Sequence, residues 1–296
     1  MAPEVSIAIP TYNRRTKLER AIASALAQSH EDLEVVVTDN ASSDGTDELL
    51  ARLAAADGRL RVVRQSSNRG MVANLNAAFA LAQGSYVMLL SDDDWLDPRC
   101  IATALALLGE RPGAAAALGH VAYVREDGEA VAAGQPVALL GADPARRVRD
   151  YFAAVTADHG NTWLYGIARR SLVQRLPPMR NVLAFDWLRV AQLAFSGEIA
   201  MTGETLIFRE LGGTSATTTR LVRESGLASL QAKAPHLVIA GEVLADIGWR
   251  SPVYAPLGAR RRLALAAACA TSVPARNPGH VLFHLAPEAV QRRLRP

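Results

Sequence analysis

The chain has 296 residues, 50% apolar and 21% charged, so it can bury a large core, and wholesale disorder is excluded. At about 100–200 residues per domain, this length fits one large domain or two modest ones. The net charge of +3 hides an uneven distribution: from Arg250 to Pro296 eight arginines face one acid, Glu288, so a basic tail follows a mildly acidic body.

The first hundred residues alternate strand and helix signals. Val5–Ile9 reads as a short strand stopped by Pro10. Leu18, Ala21, Ile22, Ala25 and Leu26 recur at helical spacing, and Leu33–Thr38 is a β-branched run typical of a buried strand. A helix over Asp47–Ala56, a strand over Leu60–Arg64, a helix over Met71–Ala82 and a strand over Tyr86–Leu90 follow. Such alternation predicts parallel strands joined by crossover helices. Ligands then bind beyond the carboxyl ends of the strands, so the loops after Ile9, Thr38 and Leu90 are expected to share one rim. The second half is less regular. It predicts a strand over Ala115–Val124, a turn at Glu126–Glu129, a helix over Ala145–Val155 and a short strand over Trp163–Ala168 leading into a helix at Arg170. A helix over Asp186–Phe195 ends at Gly197, and Ile199–Met201 and Thr205–Arg209 read as paired strands around Thr202–Glu204. From Leu221 the pattern is helical, broken at Pro235, Pro252 and Pro274, which puts a boundary near residue 220.

The rim loops carry the chemistry. After the fourth strand comes Ser91-Asp92-Asp93-Asp94-Trp95-Leu96-Asp97-Pro98. Asp97-Pro98 reads as a helix N-cap followed by proline at the first helical position. The other three acids need another account. A carboxylate pair at ~4 Å in an effective dielectric of ~20 repels by roughly 4 kcal/mol before screening. Solvation on an open loop relieves that, and so does a bound hard cation; Mg²⁺ prefers one or two carboxylates together with substrate phosphates. Asp39 ends the second strand and points to the same rim, where it can accept hydrogen bonds from a base or a ribose. Asp44, Gly45 and Thr46 are turn and helix-start residues. Neither a G-x-G-x-x-G nor a G-x-x-x-x-G-K-[ST] motif occurs, so dinucleotide binding and a P-loop are not supported.

Five blocks now line up in order: Val5–Asn13, Val37–Thr46, Asn68-Arg69-Gly70 with Asn76, Ala82–Tyr86 and Ser91–Trp95. Together they resemble family 2 glycosyltransferases. The resemblance implies an α/β chain of the GT-A fold: a Rossmann-like nucleotide-binding half with a mixed central sheet, helices on both faces and a C-terminal helical appendage. It implies a catalytic domain over residues 1–220, with a nucleotide-sugar half at 1–98 and an acceptor half at 99–220, followed by a basic helical extension at 221–296. The implied reaction is inverting transfer of a sugar from a nucleotide-diphospho-sugar to a hydroxyl of a glycan or lipid-linked acceptor, assisted by Mg²⁺ or Mn²⁺. By this likeness Pro10, Thr11 and Tyr12 pack around the nucleotide, Asp39 contacts the base, Asp92 lies near the ribose, and Asp93, with Asp94 or Asp92, binds the metal. Ser91 stands where the family often has the first Asp of its D-x-D-D form. Arg69 faces the diphosphate or is a solvated loop arginine. Asp186, in Ala184-Phe185-Asp186-Trp187-Leu188, matches the family's catalytic base; Asp is also a favoured N-cap. Trp163 and Tyr165 either stack on an acceptor sugar or belong to the core. Leu211 stands where the family often carries a histidine, and His159 is the nearest replacement by sequence.

The rival reading is a non-catalytic sugar-nucleotide-binding protein on the same fold. No nucleic-acid partner is expected. Cys100 and Cys269 are too few for a disulfide framework, which fits a reducing compartment. No signal peptide or membrane-spanning run is visible, so the expected location is cytoplasmic. The basic segment 250–296 allows peripheral contact with anionic lipid at the inner face of the plasma membrane, or is simply a solvated helical surface.

Overall fold

The computed structural model describes residues 2–125, 128–131, 136–155, 161–210, 222, 226–227, 231 and 233–275. Nine strands among them form one sheet in the order β3-β2-β1-β4-β8-β6-β9-β5, with β7 on β6. The first four are β1 (Val5–Thr11), β2 (Leu33–Asp39), β3 (Leu60–Arg64) and β4 (Tyr86–Leu89). They pair in parallel, as their apolar runs require, and α1 (Arg15–Leu26), α2 (Thr46–Ala56) and α3 (Met71–Leu81) link them. β2 is buried along its whole length.

Pro10 does not stop β1, which continues to Thr11. Ala8 directs its carbonyl toward β4, where it accepts from Leu90 N–H, and Pro10, two residues on, faces the same side. The β1–β4 ladder has already ended at Ala8↔Leu89, so the N–H that proline lacks has no strand partner to satisfy. At the opposite end of β4, Ser6 Oγ donates to Glu34 and accepts from the N–H groups of Gln83 and Gly84. The chain crosses so closely there that a Cβ on Gly84 would lie 2.7 Å from Ser6 N and Val5 C.

The second half closes the sheet with mixed pairing. β5 (Trp95–Leu96), β6 (Ala114–Val124), β7 (Ala130–Val131), β8 (Ile167–Arg169) and β9 (Glu198–Glu210) complete it. The expected hairpin around Thr202–Glu204 is instead part of one strand, β9, running parallel to β6. Thr202–Glu204 bulge between the pairs Leu118↔Met201 and His120↔Thr205. Gly119 permits this, since a Cβ there would sit 2.6 Å from Glu204 O. Trp163–Tyr165, expected in a strand, lie in a 3-10 turn over Thr162–Tyr165, and the strand starts at Ile167. Asp97 does not cap the next helix, α4 (Cys100–Glu110), and Asp97 Oδ1 accepts from Arg99 N–H in the turn before it. The turn expected at Glu126–Glu129 falls partly outside the described residues, as do His159, Leu211 and the tail beyond Ala275.

The helices α5 (Pro144–Val155), α6 (Arg170–Val173) and α7 (Phe185–Ser196) precede β9. α8 (Pro235–Ala245) and α9 (Gly258–Ala275) follow it, separated by a π turn and a 3-10 turn. These last helices share the core of α5 and α7. Tyr254, Cys269 and Val273 are buried with Tyr151, Phe152, Leu193 and Phe195, so no separate core marks the expected boundary at 220. Both cysteines are free and buried.

Candidate active site

The three rim loops meet as the parallel topology demands. Thr11 pairs with Asp39 in register, Asn40 N–H donates to Thr11 O, and Thr11 Oγ1 donates to Asp92 Oδ2 at 2.7 Å. Asn74 on α3 ties the ends of β1 and β2 together by donating to Thr38 O at 2.8 Å and Thr11 O at 3.3 Å. Asn40 extends the rim: its Oδ1 accepts from Arg69 N–H and its Nδ2 donates to Asn68. Arg69 itself is exposed, and Tyr12 is 44% exposed beside the rim. Three non-glycine residues among those described have positive φ: Asn13 (52°) and Ala41 (63°) in the rim loops, and Ala184 (68°) at the start of α7. Left-handed backbone costs about 1–2 kcal/mol per residue, and such strain gathers at functional sites.

Each carboxylate has a distinct environment. Asp39 is fully buried; Oδ1 accepts from Ser42 N–H, while Oδ2 has no hydrogen-bond partner and lies 3.5 Å from Arg64 Nε. A buried unpaired oxygen calls for a donor, which an incoming ligand can bring. Asp92 is pushed up to about 7, chiefly by burial and then by neighbouring Asp93, against the pull of Thr11. Asp93 keeps a side chain without a hydrogen-bond or ion-pair partner among the described residues, while its carbonyl accepts from Arg20.

Asp94, expected beside Asp93 as a metal ligand, faces β9. Its Oδ1 accepts from Glu210 N–H and its Oδ2 from Arg209 Nε, both at 3.2 Å, and its side chain is 1% exposed. Burial pushes its carboxyl up to about 6 despite Arg209. Protein donors thus occupy both oxygens, and the residue braces the acid loop against β9. No group of three or more His, Cys, Asp or Glu that could hold a metal occurs among the described residues. Asp93 remains as one open carboxylate. That fits a cation completed by donor phosphates rather than one caged by protein.

Asp186 sits in the first turn of α7, with Ala184 as N-cap, so it is not the cap residue. Burial raises its pKa, opposed by the Trp187 N–H and, more weakly, by the charge of Arg209. Arg209 therefore acts on both Asp94 and Asp186. It also lies over the ring of Tyr165, 4.8 Å from its centroid, and the Tyr165 hydroxyl meets Ser91 Oγ at 2.8 Å. The two candidate acceptor aromatics thus separate. Tyr165 forms the floor under Arg209. Trp163 is a core element, 4% exposed, with its Nε1 donating to Val137 O and its ring edge-on to Tyr151. Trp95 offers no open face either, lying between Phe208, stacked at 5.6 Å, and Arg20, 3.8 Å above its ring.

Arg209 and Glu210 join this cluster, and neither was singled out from the sequence. Glu210 gathers Lys17 and Arg20 of α1 into a half-exposed ion cluster. Their place in Phe208-Arg209-Glu210, at the end of an apolar strand, was the available signal.

The sequence profile of glycosyl transferase family 2 matches residues 6–170, more than half of the chain. The chain belongs to glycosyl transferase family 2. It is 40% identical over 94 residues to the putative teichuronic acid biosynthesis glycosyltransferase TuaG of Bacillus subtilis, covering 31% of this chain and 37% of that protein. It is 35% identical over 109 residues to the GalNAc(5)-diNAcBac-PP-undecaprenol beta-1,3-glucosyltransferase of Campylobacter jejuni, covering 36% and 35%. These matches span little more than a third of either relative. Among solved structures, S. aureus TarS 1–349 superposes with a TM-score of 0.62 at 17% identity, covering 97% of this chain and 77% of that one. The mannosyltransferase PcManGT of Pyrobaculum calidifontis, in complex with GDP-Man and Mn²⁺, gives 0.53 at 19%, covering 94% and 76%. The shared architecture is the GT-A fold that the sequence led us to expect.

Proposed function

We propose that this family 2 enzyme moves a sugar from a nucleotide-diphospho-sugar to a hydroxyl of a glycan or lipid-linked acceptor, with inversion and with Asp186 as general base. The observation that supports this reading is the division among the acids: Arg209 and the Glu210 N–H engage Asp94, whereas Asp93 keeps an open carboxylate among the described residues and Asp39 Oδ2 is buried with no hydrogen bond, 3.5 Å from Arg64 Nε. Asp39 Oδ2 would accept from the base or ribose of the donor. A divalent cation held by Asp93 would neutralise charge on the donor diphosphate. Solved relatives by fold bind UDP-GlcNAc and GDP-Man, which supports a donor of this class.

Asp186 would take the proton from the acceptor hydroxyl as it attacks the anomeric carbon. Its raised pKa suits the task, because a base works best when its pKa approaches the working pH. Its place in the first turn of α7 directs helix N–H groups at it and steadies the carboxylate. Holding donor and acceptor on one rim supplies the proximity advantage.

The test uses two variants. Asp186→Asn should lower transfer by about 10²–10⁴, the usual worth of a general base, with nucleotide-sugar affinity by calorimetry unchanged. Asp93→Asn should abolish the metal dependence of donor binding while the urea midpoint stays within about 0.5 kcal/mol of wild type. Transfer at the wild-type rate by Asp186→Asn would remove it as base. Donor binding without turnover on any acceptor would favour a non-catalytic sugar-nucleotide-binding protein.

A further inference from the structure

The C-terminal helices present a surface that the proposed reaction does not use. α9 turns Leu265, Ala266, Cys269, Ala270 and Val273 inward. Leu263, Ala264, Ala267 and Ala268 face outward, exposed and apolar, followed on that face by Thr271, whose hydroxyl donates back to Ala267 O, and no charged residue follows Arg262 in the helix. A helix at a protein surface ordinarily puts charged and polar residues on that side. Trp249 is 58% exposed and Leu263 is 52% exposed. The turn that carries Trp249 packs on α9 beside Leu263, since a Cβ on Gly248 would be 3.7 Å from Leu263 Cδ2. Arg262 fixes this arrangement by donating to Ile247 O and Ser251 O, both at 2.6 Å, which clamps the Trp249 turn to the helix. Arg260, three residues before Leu263 and so next to it on the same face, is exposed, as is Arg261. Neither has an ion-pair partner among the described residues.

Charge selects the occupant of this surface. Arg250 is paired with Glu242 at 2.6 Å and Asp246 is buried on Gln192, which leaves Arg260, Arg261 and Arg262 with no acid among residues 247–275. A second copy, docking by symmetry, would bring the same arginines into apposition. Residues 276–296 carry four more arginines against Glu288, so their charge has the same sign as this surface. An anionic lipid surface satisfies both halves of the pattern. Tryptophan favours the interfacial zone of a bilayer, and arginine lays its apolar stem on lipid while its head reaches phosphate.

We propose that Trp249, Leu263 and the outer face of α9, flanked by Arg260 and Arg261, dock the protein flat on an anionic phospholipid bilayer. The docked helices brace α7, which carries Asp186, through Phe195 against Tyr254 at 5.0 Å and through the Gln192–Asp246 hydrogen bond. The docking gives a lipid-linked acceptor its setting, but the binding itself does not depend on the proposed reaction.

The test is co-sedimentation of the full chain with vesicles of phosphatidylcholine alone or with about a third phosphatidylglycerol. Binding is expected to the anionic vesicles only, to weaken with salt, and to bring a blue shift in tryptophan emission that Trp249→Phe removes. Arg260→Gln with Arg261→Gln should lower partitioning about 30-fold, from ~1 kcal/mol per arginine at tenfold per 1.4 kcal/mol. Leu263→Ser should weaken it further. Equal binding to neutral vesicles, unchanged partitioning of the arginine variant, or a protein that forms a Leu263-dependent dimer and ignores vesicles would each overturn the proposal. Nucleotide-sugar affinity of the same variants, read by calorimetry, should match wild type, so failure of the donor-site reading shows separately.

Discussion

Replacing Arg209 by methionine probes the joint between the acid loop and β9. The substitution keeps the length of the side chain and removes its charge, leaving Asp94 at 1% side-chain exposure with its Glu210 N–H bond but no counter-charge. Removing one partner of a buried pair costs about 3–5 kcal/mol, because the survivor stays buried and charged. That cost depends on pH in a defined sense. Asp94 titrates at about 6, so at pH 8 it is ionised and the full loss is expected. At pH 5 it holds a proton with or without Arg209, and the loss falls to that of one hydrogen bond, roughly 1 kcal/mol. Urea unfolding at both pH values reads this directly. The double variant Asp94→Asn with Arg209→Met should recover most of the pH 8 loss, giving a coupling energy of several kcal/mol. If the two single losses add, or if the Arg209→Met loss is the same at pH 5 and pH 8, the pair does not carry the joint.

Two further outcomes follow from the same geometry. Asp92 is raised from an ordinary 3.8 to about 7, so between these values the native state keeps a proton that the unfolded chain has released. In metal-free buffer its contribution to stability therefore falls as pH rises from about 4 to 7; Asp92→Asn should flatten that slope, and parallel curves for the two proteins would refute the assignment. Gly84→Ala places a methyl 2.7 Å from backbone atoms of Val5 and Ser6 and should cost about 3 kcal/mol, the upper range for overpacking, whereas Gly58→Ala meets nothing within 4 Å and should be nearly neutral by urea midpoint.

The parallel half of the fold was legible because its signals are local: β-branched runs, helical spacing and turn residues repeat through residue 90. The misread elements depend on distant partners. Ile199–Met201 and Thr205–Arg209 look like two arms of a hairpin until β6 is alongside, when a bulge opposite Gly119 makes them one strand. The 3-10 turn at Trp163 is likewise set by packing against Tyr151 rather than by its own apolar pattern. At the site, the identities of the acids were readable, but their division was not. Asp93 and Asp94 are chemically equivalent in sequence; only Arg209, more than a hundred residues away, distinguishes them. Arg209 gave little warning, since all but two of the 32 basic residues are arginine.

The reach of β9 also bears on how this chain can be divided. The family profile ends at residue 170, and a fragment cut there looks like a natural unit. It would lack residues 207–210, and with them the strand that pairs with Trp95 and Leu96, the stacking partner of Trp95 and the counter-ion of Asp94. Shuffling the acceptor half between enzymes therefore means exchanging the donor loop's own support. Chimeras joined at residue 170 should inherit nucleotide-sugar binding only when the incoming strand brings an arginine to the position of Arg209.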